Sequence, residues 1–358
     1  MNARLSQIVL RRLRLPLITP YRLRYGTFEE FEPILIEVLD DSGRSGFGEA
    51  HISPGSSRET RAGGWAFARR LAKVLCGMPP AEARALVEAE FHASPVAATA
   101  LTTAIEMLEG HPLLVIPEDA RLPLISPVNG LNRREIETEI SDKLGKGFRT
   151  FKVKVGKDVQ ADLDRLATIQ TAVSGRATLR VDANRGFNRR DAEHFATRMD
   201  PTGVELFEQP CAAEDWESNA AVARASTVPL MLDEPICGVD DIERAARIDG
   251  VGYVKLKLKR FGGLTRLRAA LERARDTGLE PVLGDGLGSE PMCWMEACVA
   301  RSTIGNAGEF NGYLKPSERM FRVPLGFEGG NLVLTAGPRP ELDPQQLAKL
   351  TLECVRWQ

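Results

Sequence analysis

From residue 122 onward the chain alternates short apolar runs with amphipathic stretches of helical period. The runs are "LPLISPVNG" (122–130), "FRTFKVKVG" (148–156), "ATLRVDANRG" (177–186), "VELFEQPC" (204–211), "PLMLDEPI" (229–236), "YVKLKLKR" (253–260), "EPVLGDGL" (280–287) and "NAGEFNGY" (306–313). Each is short, β-branched or aromatic, and bounded by Gly, Pro or Asn, as strands are. Between them lie "RREIETEISDKLGK", "VQADLDRLATIQTAV", "RRDAEHFATRM", "DWESNAAVARA", "DDIERAARI", "LTRLRAALERARDTG" and "EPMCWMEACVAR", which place apolar residues on one helical face. Eight strands alternating with seven helices predict parallel β/α units, and right-handed crossovers close eight of them into a TIM-type (β/α) barrel, an α/β fold, over 122–320.

The flanks read differently. Residues 1–121 mix strands, as in "EPILIEVLDDSGRSGFGEA" with its D-S-G-R-S-G turn, and helices, as in "RAGGWAFARRLAKVL" and "AATALTTAIEMLEG". That is an α+β module. The segment 321–358, with "RVPLGFEGGNLVLTAGPRPELD", reads as turns and a hairpin that pack back on the N-terminal module.

In such a barrel the functional groups sit where strands end and βα loops begin. Reading the strand ends in turn gives Lys152 and Lys154, then Asp182 and Asn184, then Glu208, then Asp233 and Glu234, then Lys255, Lys257 and Lys259, then Asp285, then Glu309 and Asn311. Lys154, Asp182, Glu208, Asp233 and Lys257 are separated by 28, 26, 25 and 24 residues, about one β/α unit each, so they occupy successive strands around one ring. Lys152 and Lys154 share a strand face about 7 Å apart.

Three adjacent carboxylates repel unless a cation lies among them, and oxygen ligation without His or Cys favours a hard ion, Mg²⁺ or else Mn²⁺. A lysine beside another lysine and a divalent ion is pushed toward neutrality and can serve as a base. A carboxylate chelated by the ion has an acidified α-carbon, because the enolate formed on proton loss is stabilised electrostatically. The constellation therefore predicts proton abstraction α to a carboxylate. Taken singly, "FKVKVG" is equally a surface strand, "DAN" a turn, and the acids of "FEQP" and "LDEP" helix caps. It is their succession on five strand ends that favours chemistry.

Composition narrows the partners. With 47 basic and 49 acidic residues the formal net charge is −2, so no broad basic surface attracts nucleic acid or anionic membrane. The expected partner is a small carboxylate. Six scattered cysteines without C-x-x-C predict neither a disulfide framework nor a zinc knuckle, and fit a reducing cytoplasm. The Arg-rich start "MNARLSQIVLRRLRLPL" reads as a first strand rather than a leader, and no apolar run is long enough for a membrane span. "GDGLG" is a phosphate-binding turn or, more simply, a turn. No histidine falls at a barrel strand end, and Cys293 and Cys298 read as buried packing.

With "GFGEA", "KVK", "VDANRGF", "FEQP", "LDEP", "KLKRFGGL" and "GEFNG" in this order, the chain resembles the enolase superfamily, and within it the muconate lactonizing enzyme subgroup. The resemblance covers essentially the whole chain. It implies that Asp182, Glu208 and Asp233 bind Mg²⁺ and that Lys154 and Lys257 form the acid/base pair, Lys257 standing five residues before Gly262 and Gly263. Lys152 corresponds to the first lysine of its motif and Glu234 to the acid after the third ligand. The resemblance also implies a capping domain that closes over the barrel mouth, with "ITPYRLRYGTFEE" and "ISPGSSRET" as lid loops, and a homo-oligomer.

It implies a muconate cycloisomerase-like isomerase first. Second come a racemase or epimerase of N-acyl amino acids or dipeptides, or an o-succinylbenzoate synthase-like dehydratase. Asp285 stands at the seventh strand with Glu290 displaced, Glu309 resembles the acid of muconate cycloisomerases, and no Asp-x-Asp follows the eighth strand. Two readings from other classes are a metal- and carboxylate-binding barrel without turnover and a Schiff-base aldolase.

Overall fold

The structure, a computed structural model, describes residues 3–23, 26–53 and 59–358. The N-terminal part holds β1 (Leu5–Leu13), β2 (Leu15–Leu23), β3 (Gly26–Phe31), β4 (Ile34–Asp40) and β5 (Ser45–Ala50), then α1 (Arg61–Leu75), α2 (Pro80–Ala89) and α3 (Pro95–Leu108). Along β1, Leu5, Ile8, Leu10 and Leu13 are buried, and α3 buries nearly every side chain. Sheet and helices enclose an apolar core of their own, from Leu5 and Ile36 to Leu101 and Ile105. Gly46 and Gly48 let β5 lie directly on α3, since a Cβ added at either would come within 2.1 and 2.0 Å of the Ala104 and Ala100 carbonyls.

The chain then forms β6 (Ala120–Pro123), β7 (Ile125–Val128), α4 (Arg133–Gly145), β8 (Thr150–Lys154), α5 (Val159–Val173), β9 (Thr178–Asp182) and α6 (Arg189–Arg198). There follow β10 (Val204–Glu208), α7 (Trp216–Ala225), β11 (Leu230–Leu232), α8 (Val239–Ala245), β12 (Val251–Leu256), α9 (Leu258–Phe261), α10 (Leu264–Asp276), β13 (Glu280–Leu283) and α11 (Glu290–Thr303). Strands β7 to β13 pair in sequence order as one seven-stranded parallel sheet. Residues 308 and 309 take the eighth place, with parallel bridges from Gly308 to Leu124 and from Glu309 to Gly284 that join the two edges of the sheet. This is the (β/α) barrel the alternation predicts.

Local signals explain the helix starts. Asn132, Asp158, Asn188 and Asp215 each accept a hydrogen bond from the amide three residues on, the side-chain cap that satisfies an otherwise unpaired helix donor. Inside the barrel Leu206, Met231 and Val282 form a small apolar plug beneath the mouth. In register with Leu206, Arg180, 1% exposed, donates to Glu205 (2.8 and 3.1 Å) and to the Ala307 carbonyl (2.8 Å), fixing the chain just before its closing bridges.

The C-terminal part contains β14 (Gly326–Glu328), β15 (Asn331–Leu334), α12 (Pro344–Leu350) and β16 (Thr351–Trp357). The hairpin β14–β15 pairs with β6, and β16 pairs antiparallel with β1, so the chain's last strand extends the N-terminal sheet.

Three sequence expectations are refined. "LPLISPVNG" is two strands, because β6 leaves the barrel to pair with β15 and only β7 belongs to it. "YVKLKLKR" stops as a strand at Leu256, and its remainder turns into the one-turn helix α9, ended by Gly262 in the left-handed region (φ 78°). "NAGEFNGY" supplies bridges rather than a regular strand. No described helix is long and apolar enough to cross a membrane.

Candidate active site

Strand register builds the site. Lys154 pairs with Asp182 across β8–β9, and Asp182 with Glu208 across β9–β10, so three charged residues stand side by side at one level of the barrel. Glu208 is also in register with Met231, and Asp233 follows two residues later on the same face. Asp182, Glu208 and Asp233 are 0, 1 and 3% exposed.

The ammonium groups lie among these acids. Lys152 Nζ is 2.9 Å from Asp182 Oδ2, 2.9 Å from Glu208 Oε2 and 3.0 Å from Glu309 Oε2. Burial would favour a neutral Lys152, yet the charges of Asp182, Glu208 and Glu309 outweigh it and hold the ammonium well above its ordinary pKa. Lys154, about one-third exposed, reaches Asp182 Oδ2 at 2.5 Å and hydrogen-bonds Asn184 Oδ1. On the far side Lys257 Nζ lies 2.9 Å from Asp233 Oδ2, and Arg260 donates to Asp233 Oδ1 at 2.9 Å. Lys255 pairs with Glu309, and Lys259 lies 2.5 Å from Asp285.

The carboxylates divide accordingly. Against the effect of burial, Lys152 and Lys154 lower Asp182, Lys257 and Arg260 lower Asp233 strongly, Lys259 and Lys257 lower Asp285, and Lys152 and Lys255 lower Glu309 strongly. Glu208 moves the other way, raised by burial and then by the Asp182 charge. Both Glu208 oxygens are buried and accept no hydrogen bond, although Lys152 lies close by. Glu234, on the rim and ion-paired with Arg185 at 3.0 Å, is raised to about 7 by burial and then by its neighbour Asp233.

The donor chemistry fits a hard divalent cation: three carboxylates from consecutive strands, no sulfur or imidazole, and at the centre a glutamate whose buried oxygens accept no well-aligned hydrogen bond and have only the Lys152 ammonium beside them. Among the described residues no three acids, cysteines or histidines already form a closed cage. The reason is visible in the ion pairs, since Lys152, Lys154, Lys257 and Arg260 satisfy oxygens of Asp182 and Asp233.

The charged residues read at the strand ends gather at this mouth. Lys152, Lys154, Asp182, Asn184, Glu208 and Glu309 form one contiguous cluster, Lys257 and Asp233 a second, and Lys259 and Asp285 a third. Glu290, by contrast, is turned away and accepts from the amides of Met320, Phe321 and Leu325. The lid candidates fall partly on residues 24–25 and 54–58, which lie outside the described residues.

The sequence reading missed three contributors. Gln209 is fully buried, accepts from the Asp233 amide at 2.8 Å and donates to the Cys211 carbonyl at 3.0 Å, so it fixes the third acid's backbone. It takes φ 37°, and Asn184 and Arg185 take 44° and 63°. Left-handed backbone at non-glycine residues directly after two strand ends is the kind of strain that gathers at functional sites. Arg260 clamps Asp233, and the "KRFGG" run carried that signal. His51 lies in the N-terminal part and is held neutral, down to about 3, by burial and then by Lys259; its Nδ1 has no partner among the described residues. A cavity of about 920 Å³ opens beside the site, lined by Glu59 and Phe91 on one side and Arg185, Trp216, Glu234 and Arg260 on the other.

Known proteins share this architecture. Muconate cycloisomerase 1 of Acinetobacter baylyi is 25% identical over 357 residues, covering 94% of this chain and 96% of that one. The crystal structure of N-succinyl Arg/Lys racemase from Bacillus cereus superposes with a TM-score of 0.90 at 21% identity, covering all of both chains. The dipeptide epimerase of Cytophaga hutchinsonii, crystallised with Mg and D-Ala-L-Val, gives 0.88 at 22% identity, covering 99% of this chain and 100% of that one. The enolase C-terminal domain-like family model matches residues 135–338, more than half of the sequence. The chain belongs to the enolase superfamily.

Proposed function

We propose that the protein is a Mg²⁺-dependent isomerase or lyase that removes a proton α to the carboxylate of a small substrate. The observation that carries this reading is the order of charges around the mouth: Lys154 on Asp182, Glu208 with only the Lys152 ammonium beside its buried oxygens, then Lys257 on Asp233. Asp182, Glu208 and Asp233 would hold the ion, which supplies positive charge to offset the negative charge that develops on the substrate carboxylate. Mn²⁺ suits the same oxygens.

The chain's own groups do the rest. Lys154 and Lys257 approach from either side of the three acids, so one lysine, as the neutral amine, can take the α-proton while the other, as the ammonium, faces the opposite side of the same carbon and can return one. Lys152, pinned by three carboxylates, stays charged and contributes field rather than proton transfer. Gln209 and Arg260 keep Asp233 in place, and the buried surroundings strengthen every charge interaction. Glu309 and Asn311 border the mouth at the eighth strand position. The adjoining cavity has room for the remainder of an organic acid.

A muconate cycloisomerase-like reaction is the first reading, supported by full-length similarity to such an enzyme. Racemisation or epimerisation of N-acyl amino acids or dipeptides is the second, favoured by the placement of one lysine on each side of the acids. An o-succinylbenzoate synthase-like dehydration uses the same proton abstraction.

The test is α-proton exchange in D₂O with Mg²⁺, using muconolactone, dipeptides and N-succinyl amino acids, followed by NMR. The wild type is expected to exchange at least one of these. Lys154→Ala and Lys257→Ala are each expected to lower turnover at least 10³-fold, the scale of a lost general acid or base or more. Retention of one-sided exchange in a single variant marks the epimerase reading; no exchange with any carboxylate overturns the enzymatic one.

A further inference from the structure

The lysine arm of β12 is not held by the barrel alone. One face of α3 carries Thr99, Thr102 and Glu106 at helical spacing, and this face lies on α9 and the start of α10. Glu106, 4% exposed, accepts from the Leu264 amide at 2.8 Å and the Thr265 amide at 3.4 Å, the first-turn donors of α10. Thr99 Oγ1 lies 3.4 Å from the Lys259 carbonyl oxygen. The fit is close: a Cβ on Gly262 would come within 2.8 Å of the Phe91 ring, and one on Gly263 within 3.0 Å of Thr102 and 3.1 Å of Glu106. Directly upstream of these contacts stand Lys257, Lys259 and Arg260.

A second glutamate repeats the device. Glu49, at the end of β5 and 4% exposed, accepts from the Ser289 amide (2.9 and 3.1 Å), the Ser289 hydroxyl (2.7 Å) and the Met292 amide (3.2 Å), at the start of α11. The segment just before it carries Asp285, which pairs with Lys259. Because β5 is seated directly on α3 through Gly46 and Gly48, Glu49 and Glu106 belong to one packed block. That block grips the two segments whose side chains meet as Lys259, on α9, and Asp285, after β13.

We propose that Glu106 and Glu49 are positioning residues through which the N-terminal α+β part sets the Lys257–Gly263 arm against Asp233. Neither touches the reacting atoms. Lys257 reaches Asp233 from a chain segment that ends at Gly263, and Glu106 fixes the amides immediately after it. An arm released at that end lets Lys257 and Lys259 swing from their acids. The catalytic consequence rests on the role proposed above for Lys257; the positioning itself does not.

The test is site-resolved acylation of the full chain with acetic anhydride, mapped by peptide mass spectrometry. Lys257 and Lys259 are 8 and 5% exposed, and Lys152 and Lys255 are 4 and 1% exposed, so all four start protected. Glu106→Ala is expected to speed acylation of Lys257 and Lys259 at least fivefold relative to Lys152 and Lys255. Glu106→Gln, which keeps one acceptor for the Leu264 amide, is expected to stay within twofold of wild type. Should the alanine variant not fold, Glu106→Asp, whose shorter side chain withdraws the acceptor from the Leu264 and Thr265 amides, is expected to give the same ordering at twofold or more. Glu49→Ala, which frees the Ser289 and Met292 amides, is expected to speed acylation of Lys259 at least twofold relative to Lys152 and Lys255, and an unchanged rate there removes Glu49 from the device.

Unchanged rates at Lys257 and Lys259, or a rise shared equally by Lys152 and Lys255, overturns the proposal, since the latter marks general loosening. With any carboxylate that the wild type exchanges, Glu106→Ala is further expected to lower kcat at least tenfold with KM within twofold. If the wild type exchanges none, the functional reading fails and the acylation pattern alone decides the positioning.

Discussion

Lys152 shows how far single residues could be read. Its alternation with Lys154 placed two amines on one strand face, but the sequence did not reveal that one would be enclosed by Asp182, Glu208 and Glu309 while the other stayed partly open to solvent. That difference comes from partners more than 25 residues away. Replacing Lys152 by Met leaves three buried acids without their shared cation, and breaking a buried pair in this way costs about 3–5 kcal/mol. Urea unfolding of Lys152→Met is expected to show that loss, with part of it recovered in millimolar Mg²⁺; wild-type stability would contradict the assigned clamp. Gln209 was legible only as part of a motif, because its work is a hydrogen bond to another strand's backbone.

Elements were legible where periodicity was strong and neighbours were local. The amphipathic stretches behind α4 to α7 carry their own caps in Asn132, Asp158, Asn188 and Asp215, so pattern and structure agree there. Agreement fails where tertiary pairing decides. The Lys-Leu alternation of 255–259 mimics a strand through its last residue, yet the chain turns at Lys257 into α9, whose end is set by Gly262 and by the close approach of Phe91. β16 was not foreseen because its alternation is brief and its partner, β1, stands more than 330 residues earlier.

Closure of the barrel belongs to this scale as well. Arg180 ties β9 to Glu205 and to the carbonyl of Ala307. Arg180→Leu is expected to destabilise by about 3 kcal/mol and to raise amide exchange at Gly308 and Glu309, measured by mass spectrometry; protection there equal to wild type would argue against this role.

At the scale of the whole molecule, two buried glutamates join the N-terminal layers to the barrel, and both titrate unusually. Burial raises Glu49 and Glu106 from 4.5 to about 7, only partly offset by the helix amides that each accepts. A carboxyl whose folded pKa is raised keeps a proton that the unfolded chain releases. Its contribution is therefore full below about pH 4.5 and is lost as pH climbs toward 7, by on the order of 3 kcal/mol per group at most. Gln does not titrate, so the stability of the wild type relative to Glu106→Gln is expected to fall across that window; a difference flat with pH would refute it. The lowered acids Asp285 and Glu309 act in a separate window, below about pH 4, where protonation removes their contribution as pH drops.

All of this serves the proposed arrangement, in which acids from three consecutive strands would hold a divalent ion between Lys154 and Lys257. Titration of the protein with Mn²⁺, followed by the electron paramagnetic resonance signal of the free ion, tests it most directly. The expected result is one Mn²⁺ per chain, displaced by Mg²⁺, with Glu208→Gln at least tenfold weaker while its circular dichroism is unchanged. A wild type that binds no ion, or a Glu208→Gln variant that binds as tightly, would contradict it.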